Sequence, residues 1–369
     1  MEDLKFFILI ILSIINIDIK GLNQYYIDYM NLKYTSSIKG IFVWMIILQH
    51  YRSYYKIKQK YIYQRIINYT GQRIVSLFLF YSGYGIYESL KKKSIEYIKT
   101  LPIKALILYI KFQLILLIFL LNNIILGGKI KLKQYILSMI FISNIGNSNW
   151  FAFTIIIFYI YCFLSFIVIK NKFIGIVIVT IICNIHLHLV YKYFYPNILF
   201  SIDNTFCFLF GFYYSFLKKY IDLILMKNDC FYYLILTILT SLFYYFYKKF
   251  ENIYSILIMN SIFSLIIVLI TMKVRINNEF LLFLNSHSFS IYLLQRIVML
   301  FIKKKNYVEK NEFLRFFVEF FAILTLSTIF DKYTLIVDKY IKKIFSKQKK
   351  MDNKSNISFE ESFNNFNSN

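Results

Sequence analysis

The feature that most limits what this chain can fold into is a succession of apolar runs, each about as long as a bilayer is thick. A helix needs about 20 mostly apolar residues to cross the hydrocarbon core. Read with that ruler, candidate spans fall near 4–19, 37–54, 73–90, 103–126, 134–147, 150–169, 173–190, 197–217, 231–247, 253–272, 280–301 and 316–337. The runs read as helices, because barrel strands would alternate over about ten residues. Those at 4–19 and 134–147 are short and suit an interfacial or re-entrant position. The expected fold is therefore all-α, a polytopic transmembrane helical bundle with about 10–11 spans.

Composition excludes the other classes. Of 369 residues, 59% are hydrophobic and only 17% charged, against about 45–50% and about 25% in an ordinary soluble domain. Forty-three Lys and Arg against 19 Asp and Glu give a net charge of +24. In a soluble protein that excess would point to nucleic acid. Here the basic residues lie between apolar runs with no nucleic-acid-reading motif around them. The partners expected are membrane lipids with anionic headgroups, a phosphorylated co-substrate or an acidic glycan, and no nucleic acid. Cys162, Cys183, Cys207 and Cys230 are dispersed. Without a CxxC or a Cys/His cluster, neither a metal site nor a disulfide framework is expected.

Three segments follow. Residues 1–32 read as an extra hydrophobic helix and linker, uncleaved because Glu2 and Asp3 precede the run and no small-residue cleavage site follows it. Residues 33–340 form one membrane domain. Residues 341–369, basic and then rich in Asn and Ser, read as a disordered tail. The tail lysines, Lys342 and Lys343 foremost, place that end in the cytoplasm by the positive-inside rule. Lys91, Lys92, Lys93, Lys99 and Lys104 do the same for the 91–104 loop. The 51–73 loop, with Arg52, Lys56, Lys58, Lys60, Arg65 and Arg73, then faces outward as a basic, aromatic interfacial stretch, against the simple charge count.

Few residues can carry chemistry. Lys39 and His50 are eleven apart in one span, which brings them within about 20° of one helix face and roughly 16 Å apart along the axis. Ionisable groups inside a span are costly and point to function. The plainer alternative is that Lys39 snorkels and His50 caps the opposite interface. Ser82, Gly83 and Gly85 form a small-residue face, for which close helix packing is a sufficient account. His186 and His188 suit an interfacial belt, His287 a cavity wall, and Glu88 and Asp203 a lysine partner or an acceptor site. No GxSxG, P-loop, Rossmann fingerprint or HExxH occurs.

Lys39-x10-His50 resembles the Arg/Lys-x10-His signature of acyltransferase family 3, the integral-membrane O-acyltransferases. Ser76-Leu-Phe-Leu-Phe-Tyr-Ser-Gly-Tyr-Gly85 is similar to the family's Phe-rich segment ending in Ser-Gly-Tyr. Asn149-Trp150-Phe151 resembles its Trp-Phe start to a middle helix. Ser288-Phe-Ser-Ile-Tyr-Leu-Leu-Gln295 resembles its Ser-x-Tyr-Leu-x-His motif, with Gln295 in place of the histidine. Glu96-x-x-Lys99-x-x-Pro102 keeps one of the two basic residues usual before that proline. The likeness covers about residues 33–337.

The resemblance implies a multi-pass cell-membrane O-acyltransferase, with no tightly bound cofactor and no metal. It would move an acyl group, expected to be acetyl, from cytoplasmic acyl-CoA to a sugar hydroxyl of a cell-surface or lipid-linked glycan. Lys39 and Lys99 would then meet the CoA phosphates, and His50 would act as general base. Ser82, Asn149 and Gln295 would offer donors to the oxyanion, beside Gly83, Trp150 and Tyr292. A polysaccharide transporter or flippase, or a glycan polymerase, shares the size and the basic loops. The chain lacks clear inverted repeats or paired Gly/Pro-broken helices, and no large extracytoplasmic loop favours a polymerase.

Overall fold

A computed structural model describes residues 4–55, 62–146, 149–169, 171–194, 204–249, 253–305 and 311–366. In chain order the elements are α1 (Leu4–Ile14), β1 (Ile17–Ile19), α2 (Leu32–Tyr55), α3 (Ile62–Ile98), α4 (Leu101–Ile125), α5 (Leu132–Met139), α6 (Asn149–Val168) and α7 (Lys172–Phe194). They continue with α8 (Thr205–Leu225), α9 (Asp229–Lys248), α10 (Ile253–Thr271), β2 (Val274–Ile276), α11 (Glu279–Ser286), α12 (Ser288–Lys305) and α13 (Glu312–Phe366). The protein is an all-α polytopic membrane bundle. Six of the helices, α4, α6, α7, α9, α10 and α13, are long and apolar enough to cross a membrane by length and composition alone. The helices α2, α3, α8 and α12 have the length, from 18 to 37 residues, and carry more polar side chains.

Asparagine sets many helix starts. Asn228 accepts from Cys230 N–H at 2.7 Å before α9, and Asn278 accepts from Leu281 N–H at 3.1 Å before α11. Asn171 and Asn311 do the same for α7 and α13. Each satisfies amides that the first turn leaves without a partner. Pro102 sits in the first turn of α4, where its missing N–H costs nothing.

Three expected spans come out differently. The run at 4–19 is the short α1 followed by β1, which pairs antiparallel with β2, Asp18 opposite Arg275. The run at 134–147 ends as a helix at Met139, and Phe141 turns the chain at φ 65°. The run at 280–301 is two helices, parted at His287 by a side-chain clamp described below. The 91–104 loop is mostly helix as well. Lys91–Lys93 extend α3, which breaks at Ser94 (φ 50°, ψ −144°), a backbone region sparsely open to non-glycine residues. The backbone of α13 runs to Phe366, through the stretch expected to stay unordered. Asp203, Lys56, Lys58 and Lys60 lie outside the described residues.

The core sits around α2. From Phe42 to Leu48 every residue is buried, so this helix is wrapped on all sides, as a stripe without a polar face requires. Trp44 is the hub, 4.4 Å from the Phe320 ring and 5.9 Å from Phe280, centroid to centroid. Two close crossings fix its surroundings. A Cβ on Gly40 would lie 2.1 Å from the Leu281 carbonyl oxygen, so only glycine lets α11 cross there. On α3 and α8 the relation is reciprocal. A Cβ on Gly83 would lie 2.1 Å from Phe208 O, and one on Gly211 would lie 2.1 Å from Phe80 O. Backbones approach this closely only through small residues.

The bundle has two chemically distinct ends. At one, the start of α2 meets the last turns of α8. Tyr29 bonds Tyr214 and Asp222, each at 2.7 Å, and Lys91 of α3 donates to Ser215 O at 3.1 Å. Lys273 pairs with Asp229 at 2.8 Å on the same end, with Tyr25 bonded to the same carboxylate. Burial first, and then that carboxylate, push the Tyr25 hydroxyl well above the ordinary phenol range. At the opposite end the last turn of α2 meets the ends of α12 and α4. Lys303 donates to Tyr54 O at 2.6 Å, and Lys304 donates to Leu126 O.

Candidate active site

Between α2, α3, α6 and α12 lies a cavity of about 310 Å³. The helix α2 contributes Lys39, Val43 and Ile46, consecutive positions on the face that an i, i+4, i+7 repeat creates. Ser82, Tyr81 and Phe78 come from α3, Phe151 and Tyr159 from α6, and Ser288, Phe289 and Tyr292 from the first turns of α12. The wall is mostly apolar, aromatic and aliphatic side chains in similar number, with a few polar groups among them, the usual makeup of a small-molecule site.

Lys39 is half-buried, with its ammonium 5.9 Å from the centroid of the Tyr81 ring. Among the described residues no carboxylate stands within ion-pair distance of it. The Tyr81 hydroxyl is buried and has no hydrogen-bond partner among the described residues. A half-buried cation without an anion among the described residues and a buried donor without an acceptor among them each carry a cost. Both costs fall when an anionic ligand enters.

His50 is three turns further along α2, outside the cavity lining. Its ring lies 6.3 Å from the Tyr292 ring, edge-on, and Tyr292 reaches back to Phe151 at 5.1 Å and to Trp150 at 6.3 Å. Tyr292 is thus the wall between the Lys39 cavity and His50. The structure brings Lys39, Ser82 and Tyr292 into one cavity, with His50 and Trp150 adjoining through Tyr292.

The other expected site residues are placed elsewhere. Gly83 faces α8 at the helix crossing. Asn149 directs its amide to Ser143 O at 2.6 Å and to Phe141 O at 3.4 Å, fixing the turn before α6. Gln295 is fully buried, with Nε2 on Tyr292 O of its own helix at 3.1 Å and Oε1 without a partner among the described residues. Lys99 is exposed and 3.4 Å from Glu96; it lies outside the cavity lining, and a neighbouring carboxylate already offsets its charge. Gly85 has nothing within 4 Å of a hypothetical Cβ.

One cluster escapes the sequence reading. Asp331 of α13 takes His287 Nδ1 at 2.5 Å on one oxygen and the Ser290 hydroxyl on the other. The carboxylate stands between the two groups, so the histidine cannot take the serine's proton, and the order is wrong for a nucleophilic serine. The cluster instead fixes the break between α11 and α12, and with it the turn that carries Ser288 and Phe289 into the cavity. Its signal in the sequence is an acid inside the last apolar run.

The match to known proteins agrees with this geometry. A family model described as an acyltransferase domain, that of acyltransferase family 3, matches residues 32–332. The chain belongs to acyltransferase family 3. No curated protein and no solved structure matches it. The matched span begins with α2 and ends just past Asp331, so it encloses Lys39, His50, the cavity and the clamp, and leaves α1 and β1 outside. As a family member the protein is a membrane acyltransferase.

Proposed function

We propose that the protein transfers an acyl group, preferentially acetyl, from cytoplasmic acyl-CoA to a sugar hydroxyl of a cell-surface or lipid-linked glycan. The observation that supports this most is the pairing of Lys39, which has no carboxylate within ion-pair distance among the described residues, with an otherwise mostly apolar cavity that ends at Tyr292, next to His50. An ammonium is suited to phosphate as a compact charge. A cavity of about 310 Å³ is at the small end of ligand pockets. It has room for the acyl-pantetheine arm, with the nucleotide outside it at the Lys39 end.

In the reaction, the acceptor hydroxyl oxygen attacks the thioester carbonyl carbon. A C–O bond forms, the C–S bond breaks, and the pair of electrons leaves on the CoA sulfur. His50 takes the hydroxyl proton as attack proceeds and returns it to that sulfur, acting first as general base and then as general acid. Ser82, whose residue lines the cavity, is the side chain best placed among the expected donors to meet the oxyanion. Asn149 and Gln295 are occupied elsewhere and act through the geometry of the walls.

The test is the ester content of surface glycans by proton NMR, with the wild-type gene, without it, and with His50→Ala. Loss of an O-acyl signal at unchanged glycan amount and unchanged protein abundance supports the enzyme. Loss of the surface glycan itself overturns it in favour of transport or polymerisation.

A further inference from the structure

The second cavity lies at the opposite end of the bundle, between the last turns of α4 and α12, with a volume of about 420 Å³. Its polar groups differ in kind from those of the first, amides and two ammonium groups in place of hydroxyls and one ammonium. Asn122, Asn123, Lys303 and Lys304 supply the polar side chains, and Phe119, Leu126, Ile145 and Leu300 supply the apolar ones. Asn122 is 9% exposed, and the Oδ1 of Asn123 is buried without a hydrogen-bond partner among the described residues. Neither lysine has a carboxylate within ion-pair distance among the described residues. Both are anchored by backbone carbonyls, Tyr54 O and Leu126 O. An ammonium donates three hydrogen bonds, so each keeps capacity for a ligand.

This cavity is linked to His50 by a row on α12. Arg296, Leu300 and Lys303 recur at i, i+4 and i+7 and share one helix face. Arg296 is close enough to His50 and Tyr54 to act on both electrostatically, and it donates to Gly146 O at 3.5 Å. The Gly146 Cα in turn faces Leu300 and Phe119 of the cavity floor. Two lysines and an arginine therefore lead from the mouth of this cavity to His50, unopposed by acid among the described residues.

We infer that this cavity is the acceptor subsite, and that the acceptor is an anionic saccharide, bearing carboxylate or phosphate, held by Lys303 and Lys304. This rests on the acyltransferase reading above. The two asparagines suit sugar hydroxyls, because an amide both donates and accepts. The lysines suit a negative group, because two exposed ammonium groups beside a concave site concentrate a positive field there. A saccharide seated there reaches the reacting hydroxyl from the His50 side, while the acyl chain comes from the Lys39 side.

The experiment is a binding measurement on the full-length protein in phosphatidylcholine nanodiscs, so that it does not depend on turnover. The probes are fluorescently labelled tetragalacturonate, a glycerol-phosphate tetramer and neutral maltotetraose. One or both acidic probes should bind at least tenfold more tightly than maltotetraose. The double variant Lys303→Gln/Lys304→Gln should lose that preference, Lys303→Arg/Lys304→Arg should retain it, and Lys305→Gln, exposed and outside the cavity, should leave it unchanged. His50→Ala should bind the acidic probe like wild type. That result separates a failure of the general-base assignment from a failure of this subsite. Equal binding of the neutral probe, no binding of either acidic probe, or no effect of the double glutamine variant overturns the inference. Displacement of the acidic probe when phosphatidylglycerol replaces phosphatidylcholine assigns the cavity to a lipid headgroup, and overturns it too.

Discussion

The two ends of the bundle offer different chemistry at similar volume. The cavity at the Lys39 end is a mostly apolar slot with a few hydroxyls and one cation that has no carboxylate partner among the described residues. That at the Lys303 end draws its polar groups from two asparagines and two lysines. The first suits an elongated chain with a charged head outside, the second a hydrated, multiply hydroxylated molecule. His50 lies between them on the same helix. The contrast is one of functional groups, hydroxyls with one ammonium against amides with two, and on the proposed reading it separates the donor approach to His50 from the acceptor approach.

The sharpest way to break the comparison is to ask whether the ends face different compartments. Ser53 and Ser94 are both exposed, one at the His50 end of α2 and the other at the break in α3. In a background lacking the four native cysteines, Ser53→Cys should react with a membrane-impermeant thiol reagent on intact cells, and Ser94→Cys should be protected. The reverse pattern would separate Lys39 from cytoplasmic CoA and remove the donor assignment.

Next in size is the base. His50→Ala should lower acyl transfer by at least about 100-fold, the scale of general base catalysis, with protein abundance unchanged. Activity within a few-fold of wild type would show that both cavities serve some other group.

A smaller and more selective effect belongs to Lys39. Replacing it with Gln should raise the KM for acyl-CoA about tenfold or more, because a charge-assisted contact contributes about 1.5–3 kcal/mol. The KM for the acceptor should stay as it was, and Lys39→Arg should restore most of the loss. Equal changes in both KM values would erase the distinction between the ends.

Gly83→Ala tests the packing that holds α3, and so Ser82 and Tyr81, at the cavity. Overpacking costs typically about 1–3 kcal/mol, read as a lower thermal midpoint of the purified protein. The smallest change is expected from Asp331→Asn, which frees His287 and loosens the turn carrying Ser288 and Phe289. A drop of a few-fold in kcat with His50 chemistry intact would mark Asp331 as a positioning residue, and rescue by Asp331→Glu would confirm the carboxylate.

The sequence by itself determined the class of fold, because runs of about 20 apolar residues permit few alternatives. It also singled out Lys39 and His50 on α2 as candidates, because a lysine and a histidine inside an apolar run stand out against their surroundings. Periodicity alone placed them on one face. What it did not separate were residues of similar type with different neighbours. Gly83 and Ser82 are adjacent in one motif, yet Gly83 meets Phe208 of α8 and Ser82 meets the cavity, since successive helical positions diverge by about 100°. Lys99 and Lys39 are equal as charges; the Glu96 three residues before Lys99 is legible in the sequence, and only the fold puts Lys39 on a cavity without a carboxylate in ion-pair distance among the described residues. The Asp331 clamp and the Lys303 cavity join residues distant along the chain, Asp331 to His287 and Lys304 to Leu126. Contacts of that kind depend on which helices become neighbours, and packing around Trp44 and the glycine crossings decided that.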